Sequence, residues 1–272
     1  MRILSVSRRT DIPRFYCDWF LQKVRDRCVE YNNPFNRKVI KANLTSDEFR
    51  VIVFWTRDPS ELSDNIAFLQ NEGFFPYFHV TMTNYGFPLE QNPPEISKVV
   101  QAFRKLAEIV GPACIVWRYD PIILSACLTE EWHVKNFSTL AQTLSGTVGC
   151  CYISFVDLYS KTLRNLKKFE IVAVEPDIIA KTRLAERLNE TAARFNIPVF
   201  TCCEDELSTI PKGHCIDAPH LAKLSGEPSI SKARKSPTRK QCGCWHAVDI
   251  GTYNTCHGGC IYCYATTNHN LS

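Results

Sequence analysis

The sequence predicts an α/β fold, a (β/α) TIM-type barrel that is either closed with eight strands or incomplete with six. Short runs of β-branched and aromatic residues alternate with longer amphipathic stretches, which is typical of βα units around a parallel sheet. Glycine and proline punctuate the connections. No glycine-rich phosphate loop follows the first strand, and this disfavours an open Rossmann sheet. A chain of 272 residues has the length of one such domain.

The elements are predicted from periodicity and from their end signals. The strands are predicted at 3–7, 51–56, 77–83, 114–117, 151–155 and 199–202. The helices are predicted at 14–27, 60–71, 95–110, 129–144 and 177–195. Thr129 with two glutamates after it, and Pro176 with Asp177, mark the starts of the last two helices. We expect residues 1–225 to form the barrel, and residues 226–272 to form a cysteine-rich segment that packs on its mouth as part of one unit.

Composition excludes some classes of function. The chain is 45% apolar and 22% charged, and it has no apolar run long enough to span a bilayer. Its first residues pass from a short apolar stretch directly into charge, unlike a secretory signal, so we expect a cytoplasmic protein without membrane partners. A net charge of +4 does not by itself imply a polyanionic partner. Five basic residues within 232–240 fit a solvated linker or, less simply, a contact to nucleic acid or an anionic cofactor.

Fourteen cysteines in a chain of this size indicate metal or redox cofactors rather than a disulfide framework. Six of them lie in apolar helix or strand patterns and are expected to be small buried hydrophobes: Cys17, Cys28, Cys114, Cys127, Cys150 and Cys151. The other eight lie between Cys202 and Cys263, near turns and polar residues. This asymmetry points to cofactor chemistry at the end of the chain.

Polar side chains occur where the predicted strands end, which is where a parallel barrel carries its catalytic groups. Arg118 and Asp120 lie two apart on one strand end, so they can face one ligand or form a structural ion pair. Arg8 and Arg9 follow the first strand with Asp11, and guanidinium groups suit a carboxylate or phosphate. We expect one of these two arginines to touch a cofactor.

Two carboxylates at later strand ends are candidates for proton transfer or for holding a ribose. These are Asp157 and Glu204, although a carboxylate in such a position is as often a helix cap. Four histidines, His79, His133, His214 and His220, lack the spacing of a metal site. Three other histidines flank the cysteines near the end of the sequence, so one of them could be a metal ligand: His246, His257 and His269.

Cys256, Cys260 and Cys263 have the spacing C-x3-C-x2-C, which can hold an iron–sulfur cluster. Three thiolates on a cubane leave one iron open to a small molecule, whereas four would close the site. Gly258 and Gly259 let backbone amides approach the sulfides. A zinc site would need a fourth ligand and usually shows two C-x2-C pairs.

Four cysteines before this triplet are candidates for a second, closed site: Cys202, Cys215, Cys242 and Cys244. Cys203 is a possible fifth. A saturated electron-relaying cluster is the preferred interpretation, with structural zinc and free thiols as alternatives. One of these cysteines could instead fill the open iron of the first cluster.

Several segments together resemble a known bacterial family. They include 5–13, 33–36, 54–56, 117–122, 154–159, 215–217 and the cysteine end. The chain is identified as a member of the family named domain of unknown function 1848, over essentially its whole length. Members are described as carrying C-terminal cysteines similar to those that begin radical S-adenosylmethionine domains, and the triplet with Tyr262 before its third cysteine resembles that superfamily's signature.

The resemblance implies a 4Fe-4S cluster whose open iron binds S-adenosylmethionine, an electron donor such as a flavodoxin or ferredoxin, and radical chemistry on a small substrate. Tyr262, Arg8 and Arg9 would contact the cofactor, while Arg118, Asp120, Asp157 and Glu204 would act on the substrate. The alternatives are an enzyme that uses the open iron as a Lewis acid, a cluster-based redox sensor or carrier, and a barrel enzyme with structural zinc.

In radical S-adenosylmethionine barrels the cluster loop follows the first strand, whereas here the triplet lies near the end of the sequence. Residues 246–253 have the pattern of a strand that leads directly into the triplet. We therefore predict a circular permutation, in which this last strand takes the place of the usual first one and lies beside the strand at 3–7.

Overall fold

The computed structural model describes residues 1–34, 36 and 38–267, so His269 lies outside the described residues. Eleven strands are found in this part of the chain: β1 Arg2–Val6, β2 Cys28–Asn32, β3 Val39–Asn43, β4 Phe49–Thr56, β5 Phe75–Thr81, β6 Ile115–Ile122, β7 Leu124–Ser125, β8 Cys150–Phe155, β9 Ala173–Val174, β10 Val199–Thr201 and β11 Val248–Asp249. The α-helices there are α1 Ile12–Phe15, α2 Cys17–Arg25, α3 Ser60–Ser63, α4 Ile66–Asn71, α5 Ile96–Val110, α6 Glu130–Leu144, α7 Ser160–Lys168, α8 Ile178–Ala193 and α9 Ala218–Ser225.

Seven strands form one sheet in the order β10-β8-β6-β5-β4-β1-β11, and every neighbouring pair is parallel. From β1 to β10 the spatial order follows the sequence order, which is the winding of a barrel. A doubly wound Rossmann sheet would reverse direction at its centre. Among the residues that the structure describes, no strand pairs β10 with β11. The α/β class is thus confirmed, but the sheet is open, and the closed eight-stranded alternative is not what this structure shows.

The outer face of the sheet packs against the long helices. Leu4, Ile52 and Phe78 point outward and are fully buried, together with apolar side chains of α2, α5, α6 and α8. The strands alternate, so the residues between these point inward. Helices on a single face are the expected result of barrel-type winding.

The inner face is covered by the C-terminal part of the chain. Val51, Val53 and Val116 point inward and pack with Leu221 of α9 and Ile230 of the following 3-10 turn. Toward the carboxyl ends of the strands, the inward positions become polar. The part of the chain from α9 to about Ala247 therefore packs in the same apolar cluster as the inward side chains of the strands, before the chain enters the sheet as β11.

The prediction that the last strand lies beside the first is confirmed. β11 pairs in parallel with β1, with Leu4 opposite Val248 and Ser5 opposite Asp249. The six other predicted strands are also present, although β6 continues to Ile122. The β2–β3 hairpin, α7 and α9 were not predicted. None of the described helices has both the length and the apolar character needed to cross a membrane.

Candidate functional site

A cavity of about 610 Å³ opens at the carboxyl ends of the parallel strands. Ends of β1, β4, β6, β8 and β10 contribute to its wall, and the segment after β11 closes it on the other side. All eight cysteines between Cys202 and Cys263 line this cavity, whereas none of the six earlier cysteines does. The sequence asymmetry among the cysteines therefore corresponds to one place in the fold.

The loop that carries the triplet is held by backbone hydrogen bonds to the segment after β5. Ile261 N donates to Leu89 O at 3.0 Å, and Gln91 N donates to Gly259 O at 3.2 Å. Tyr16 Oη donates to Thr255 O at 2.5 Å from the other side. A Cβ atom on Gly258 would lie 3.5 Å from Cys256 Sγ and 3.8 Å from Cys260 Sγ. These two thiols therefore flank the Gly258 backbone.

A buried ion-pair network supports Cys260. Arg57 donates to Glu90 Oε1 at 2.6 Å and to Tyr262 Oη at 2.9 Å, and Tyr262 Oη donates to the same Glu90 oxygen at 2.8 Å. Burial raises the pKa of the Cys260 thiol to about 12, although the nearby Arg57 guanidinium opposes this. Tyr262 lines the cavity, and its hydroxyl is already bound by this network. Neither Arg57 nor Glu90 was chosen from the sequence as a cluster-side residue.

Asp249 joins β11 to β1 and was missed by the sequence analysis. Its buried carboxylate accepts hydrogen bonds from Ser5 Oγ at 2.8 Å, Ser7 Oγ at 2.5 Å and Arg8 N at 3.0 Å. Arg9 Nη1 donates to Gly251 O at 3.2 Å and lies 3.8 Å from an Asp249 carboxylate oxygen. Both predicted arginines line the cavity, but they are anchored to the β11 segment.

Asp11, which the sequence analysis placed beside these arginines, also lines the cavity. Its carboxylate accepts hydrogen bonds from Arg57 N at 2.8 Å and Arg14 N at 3.2 Å, the second of which caps α1. Burial raises the pKa of Asp11 to about 6. The residue therefore connects the start of α1 to the end of β4 at the cavity wall.

Arg118 and Asp120 form an ion pair on the inward face of β6, and Ser154 Oγ donates to the same carboxylate. All three line the cavity. Arg118 also donates from Nη1 to Cys215 Sγ at 3.0 Å and lies 5.4 Å from the centre of the Trp55 ring. The structure therefore realises the predicted ion pair and places it inside the candidate site.

The two other predicted carboxylates occupy different places. Asp157 lines the large cavity, where Arg239 and Tyr159 donate to it. Glu204 instead lines a smaller adjoining cavity of about 130 Å³ and accepts a hydrogen bond from Phe155 N at 2.7 Å. Burial raises the pKa of Glu204 to about 7. Arg239 belongs to the basic run 232–240, so this run is partly folded into the rim.

Five thiols upstream of the triplet lie together on the cavity wall. Cys202 Sγ lies 3.3 Å from Cys215 Sγ and 4.0 Å from Cys203 Sγ. Interactions between the side chains of Cys203 and Cys242, Cys242 and Cys244, and Cys244 and Cys215 shift the pKa values of the other thiols and connect all five in a ring. As these thiols stand, no three His, Cys, Asp or Glu side chains in the described part of the chain converge on one metal position. We call Cys202, Cys203, Cys215, Cys242 and Cys244 the thiol ring.

Comparison with known proteins gave one family match. A family model described as "Domain of unknown function (DUF1848)" matches residues 3–265. A search of curated proteins gave no match.

Two solved structures of spore photoproduct lyase are similar to part of the chain. One is a point mutant, at 14% identity and a TM-score of 0.40, and the other is the enzyme complexed with dinucleoside spore photoproduct, at 14% identity and a TM-score of 0.37. Each match covers 55% of this chain and 50% of the other, so the chain spans about half the length of these structures. At this level the likeness identifies neither a substrate nor a reaction.

Proposed function

The chain belongs to the family described as "Domain of unknown function (DUF1848)", and within it we propose an iron–sulfur enzyme that uses S-adenosylmethionine for radical chemistry on a small substrate. One observation carries the proposal. The triplet Cys256, Cys260 and Cys263, whose spacing leaves one iron of a cubane open, lines the same cavity as the charged strand ends. A reactive group bound by the triplet would therefore face the polar side chains able to hold a substrate.

The residues present fit a cubane cluster. Each thiolate of a cubane binds a different iron, so the three sulfurs need not converge on a single point. Gly258 leaves open the space between Cys256 and Cys260, and its lack of a side chain lets the loop backbone approach inorganic sulfide. The Arg57 guanidinium lies near Cys260 and balances thiolate charge. The site thus offers three soft ligands, a close backbone and a buried cation.

When bound and reduced by a donor such as a flavodoxin or ferredoxin, a site-differentiated cluster with S-adenosylmethionine supplies hydrogen-abstraction chemistry. The chain's own residues would bind and orient the cofactor and the substrate. Arg8 and Arg9 line the cavity near β11 and provide positive charge for a carboxylate. Tyr262 offers an aromatic side chain at the wall.

On the substrate side, Arg118 and Asp120 provide a fixed cation and acceptor on the inward face of β6. Because Ser154 and Cys215 hold this pair in place, a polar substrate meets donors and acceptors that are already oriented. Asp157 faces the same cavity and can accept a proton there. Glu204 holds the Phe155 backbone from the adjoining cavity, so we assign it to positioning β8.

The test is an anaerobic reconstitution. The protein is loaded with iron and sulfide, reduced, and given S-adenosylmethionine, and then 5′-deoxyadenosine is measured together with the EPR spectrum. We expect the cofactor to alter the cluster signal and 5′-deoxyadenosine to appear. A loaded cluster whose spectrum ignores S-adenosylmethionine, with no 5′-deoxyadenosine, would reject the radical mechanism.

Variants test the ligand assignment separately from the activity. Cys260→Ala and Cys256→Ala should each lose most of the reconstituted iron, because three thiolates are needed to hold the cluster. Cys127→Ala is the matched control, since Cys127, which was wrongly predicted to be buried, is exposed and lies outside the cavity. If Cys256→Ala keeps the iron content of the control, the triplet does not hold the cluster.

A further inference from the structure

The thiol ring draws on three separate segments of the chain. Cys202 and Cys203 follow β10, Cys215 precedes α9, and Cys242 and Cys244 follow the basic run. Cys202 contacts both Cys215 and Cys203, and all five thiols line one stretch of the cavity wall. Five thiols from distant segments form a soft ligand set, the kind that selects zinc, copper(I) or iron–sulfur centres.

One cation lies directly against this ring. Arg118, which is also paired with Asp120, donates to Cys215 Sγ at 3.0 Å. A guanidinium group aimed at sulfur favours the thiolate form, which is the form that binds a metal ion. Neutral thiols would leave the Arg118 bond to sulfur without this charge assistance.

A second observation concerns His214, the residue before Cys215. His214 Nδ1 is buried and has no hydrogen-bond partner among the described residues. A Cβ atom on Gly243 would lie 2.6 Å from this nitrogen, so the turn between Cys242 and Cys244 rests directly on the imidazole. An unpartnered polar atom therefore sits against the loop that presents two of the thiols.

The spacing of the sulfurs bears on the kind of metal centre. Four thiolates around one zinc ion at about 2.3 Å form a tetrahedron with edges of about 3.8 Å. The Cys202 and Cys215 sulfurs lie 3.3 Å apart, which is close to this edge. A cubane separates its thiolates further, because each binds a different iron. Contacts between neighbouring thiols therefore favour a single ion over a second cluster.

We propose that the thiol ring binds one zinc ion through Cys202, Cys215, Cys242 and Cys244. Binding of the ion would draw the four sulfurs together and release the thiol protons. Cys202 is chosen over Cys203 because it contacts the buried Cys215 at 3.3 Å. The ion links β10, the start of α9 and the segment that leads into β11. It is a structural site that holds the cavity wall, and it does not depend on the proposed function.

The wild-type protein provides the first test. Protein prepared without iron or sulfide is analysed for metals and by X-ray absorption at the zinc edge. We expect about one zinc per chain with four sulfur neighbours at about 2.3 Å. Replacement of the ion by cobalt should produce intense thiolate-to-metal absorption bands. Iron with acid-labile sulfide at this site, or no bound metal, would overturn the proposal.

Variants then assign the ligands. The triple variant Cys256→Ala, Cys260→Ala, Cys263→Ala should keep its zinc, which separates this site from the proposed cluster. Cys244→Ser and Cys202→Ser should lose most of the zinc, whereas Cys203→Ser and the exposed control Cys127→Ser should keep it. If Cys203→Ser loses the ion and Cys202→Ser keeps it, the assignment of Cys202 is wrong.

Failure of a variant to fold would not remove the test, because the X-ray absorption and cobalt measurements use the wild-type chain. A chelator provides one more readout. Removal of zinc should increase hydrogen exchange in 215–233 and 242–249, with little change in α5 or α6. An unchanged exchange pattern after complete loss of zinc would contradict the structural role.

Discussion

At the scale of single residues, Asp249 shows how a buried charge is tolerated. Its carboxylate is 7% exposed and accepts from two serine hydroxyls, Arg8 N and Gly251 N. A buried carboxylate is stable only when such donors replace its hydration. The residue therefore fixes the register of β11 on β1, and with it the position of the segment that enters the triplet.

Asp249→Ala should destabilise the fold by about 3–5 kcal/mol, because it leaves buried hydroxyls and arginines without their acceptor. Urea unfolding measures the loss. The control is Asp205→Ala, which removes a half-exposed ion pair with Lys212 and should cost less than about 1 kcal/mol. If both variants lose the same free energy of unfolding, the buried Asp249 carboxylate does not stabilise the fold more than an exposed ion pair does.

His133 gives the fold a specific pH dependence. It is buried, with Nδ1 at 2.8 Å from Tyr119 Oη and Nε2 at 3.0 Å from Ile123 O, and burial lowers its pKa from 6.5 to about 4. The unfolded chain therefore takes up a proton at a higher pH than the folded chain. This contribution to stability is complete above the unfolded pKa and is lost as the pH falls toward 4.

Wild-type stability should fall relative to that of His133→Gln by about 2 kcal/mol between about pH 7 and pH 5. Chemical unfolding of both proteins at several pH values measures this difference. The comparison with the variant removes the contributions of other titrating groups. Parallel pH profiles for the two proteins would contradict the assignment.

Residues with distinctive chemistry could be selected from the sequence, and the structure brings them together. The eight cysteines from Cys202 onward, Arg8, Arg118 and Asp120 were selected because their residue types and positions restrict what they can do, and all of them line one cavity. Asp249 was missed because a single aspartate in a short apolar run has no spacing signal. Its role arises only when β11 meets β1.

At the scale of elements, β11 is short but tightly fitted. Gly251 follows it, and a Cβ atom there would lie 1.9 Å from Ser7 Oγ and 2.6 Å from Ser7 Cβ. Only glycine allows the chain to pass this close to the end of β1. The approach of β11 to β1 is therefore controlled by one missing side chain as well as by the Asp249 carboxylate.

Gly251→Ala should lower the free energy of unfolding by about 1–3 kcal/mol, because the new methyl group overlaps Ser7 and pushes the strands apart. Thermal or urea unfolding gives the value. Ser7→Gly in the same chain removes the overlapping atoms and should restore part of the stability, although it also removes a hydrogen bond to Asp249. If the double variant is no more stable than Gly251→Ala alone, the overlap with Ser7 is not the cause of the lost stability.

The elements with the strongest apolar pattern in the sequence were predicted most accurately. Buried strands such as β4 and β5 were found within two residues, because continuous apolar runs are a strong signal. The end of β6 was set too early, since the predicted strand stopped at residue 117 and Arg118 and Asp120 were placed at its end. A strand whose inward face lines a polar cavity carries charges within the strand, and local hydropathy cannot show this. The short amphipathic helices α7 and α9 were missed for lack of length.

At the scale of the whole molecule, the sheet is an open barrel with two edges. β4, β5 and β6 are paired on both sides, whereas each of β10 and β11 has one partner strand in the sheet among the described residues. Stability against local opening should follow this order. Native-state hydrogen exchange should be slowest in β4 to β6 and faster in the edge strands. Protection of β11 equal to that of β5 would contradict this order.

The barrel type of winding was predictable from the alternation of strands and helices, but closure was not. Whether β10 and β11 meet depends on what fills the inner face. Here α9 and the segment that follows it occupy that space. Which of two distant segments covers the inner face of the sheet cannot be predicted from local sequence patterns, because it depends on contacts between residues far apart in the chain.

The position of β11 has a consequence for biosynthesis. A ribosome releases β1 through β10 and their helices before it makes Cys256, Cys260 and Cys263, and N-terminal parts of a chain can fold first. Most of the cavity wall can therefore stand before the triplet emerges. In this order of synthesis, the loop that carries the three cysteines meets strands that already have their partners.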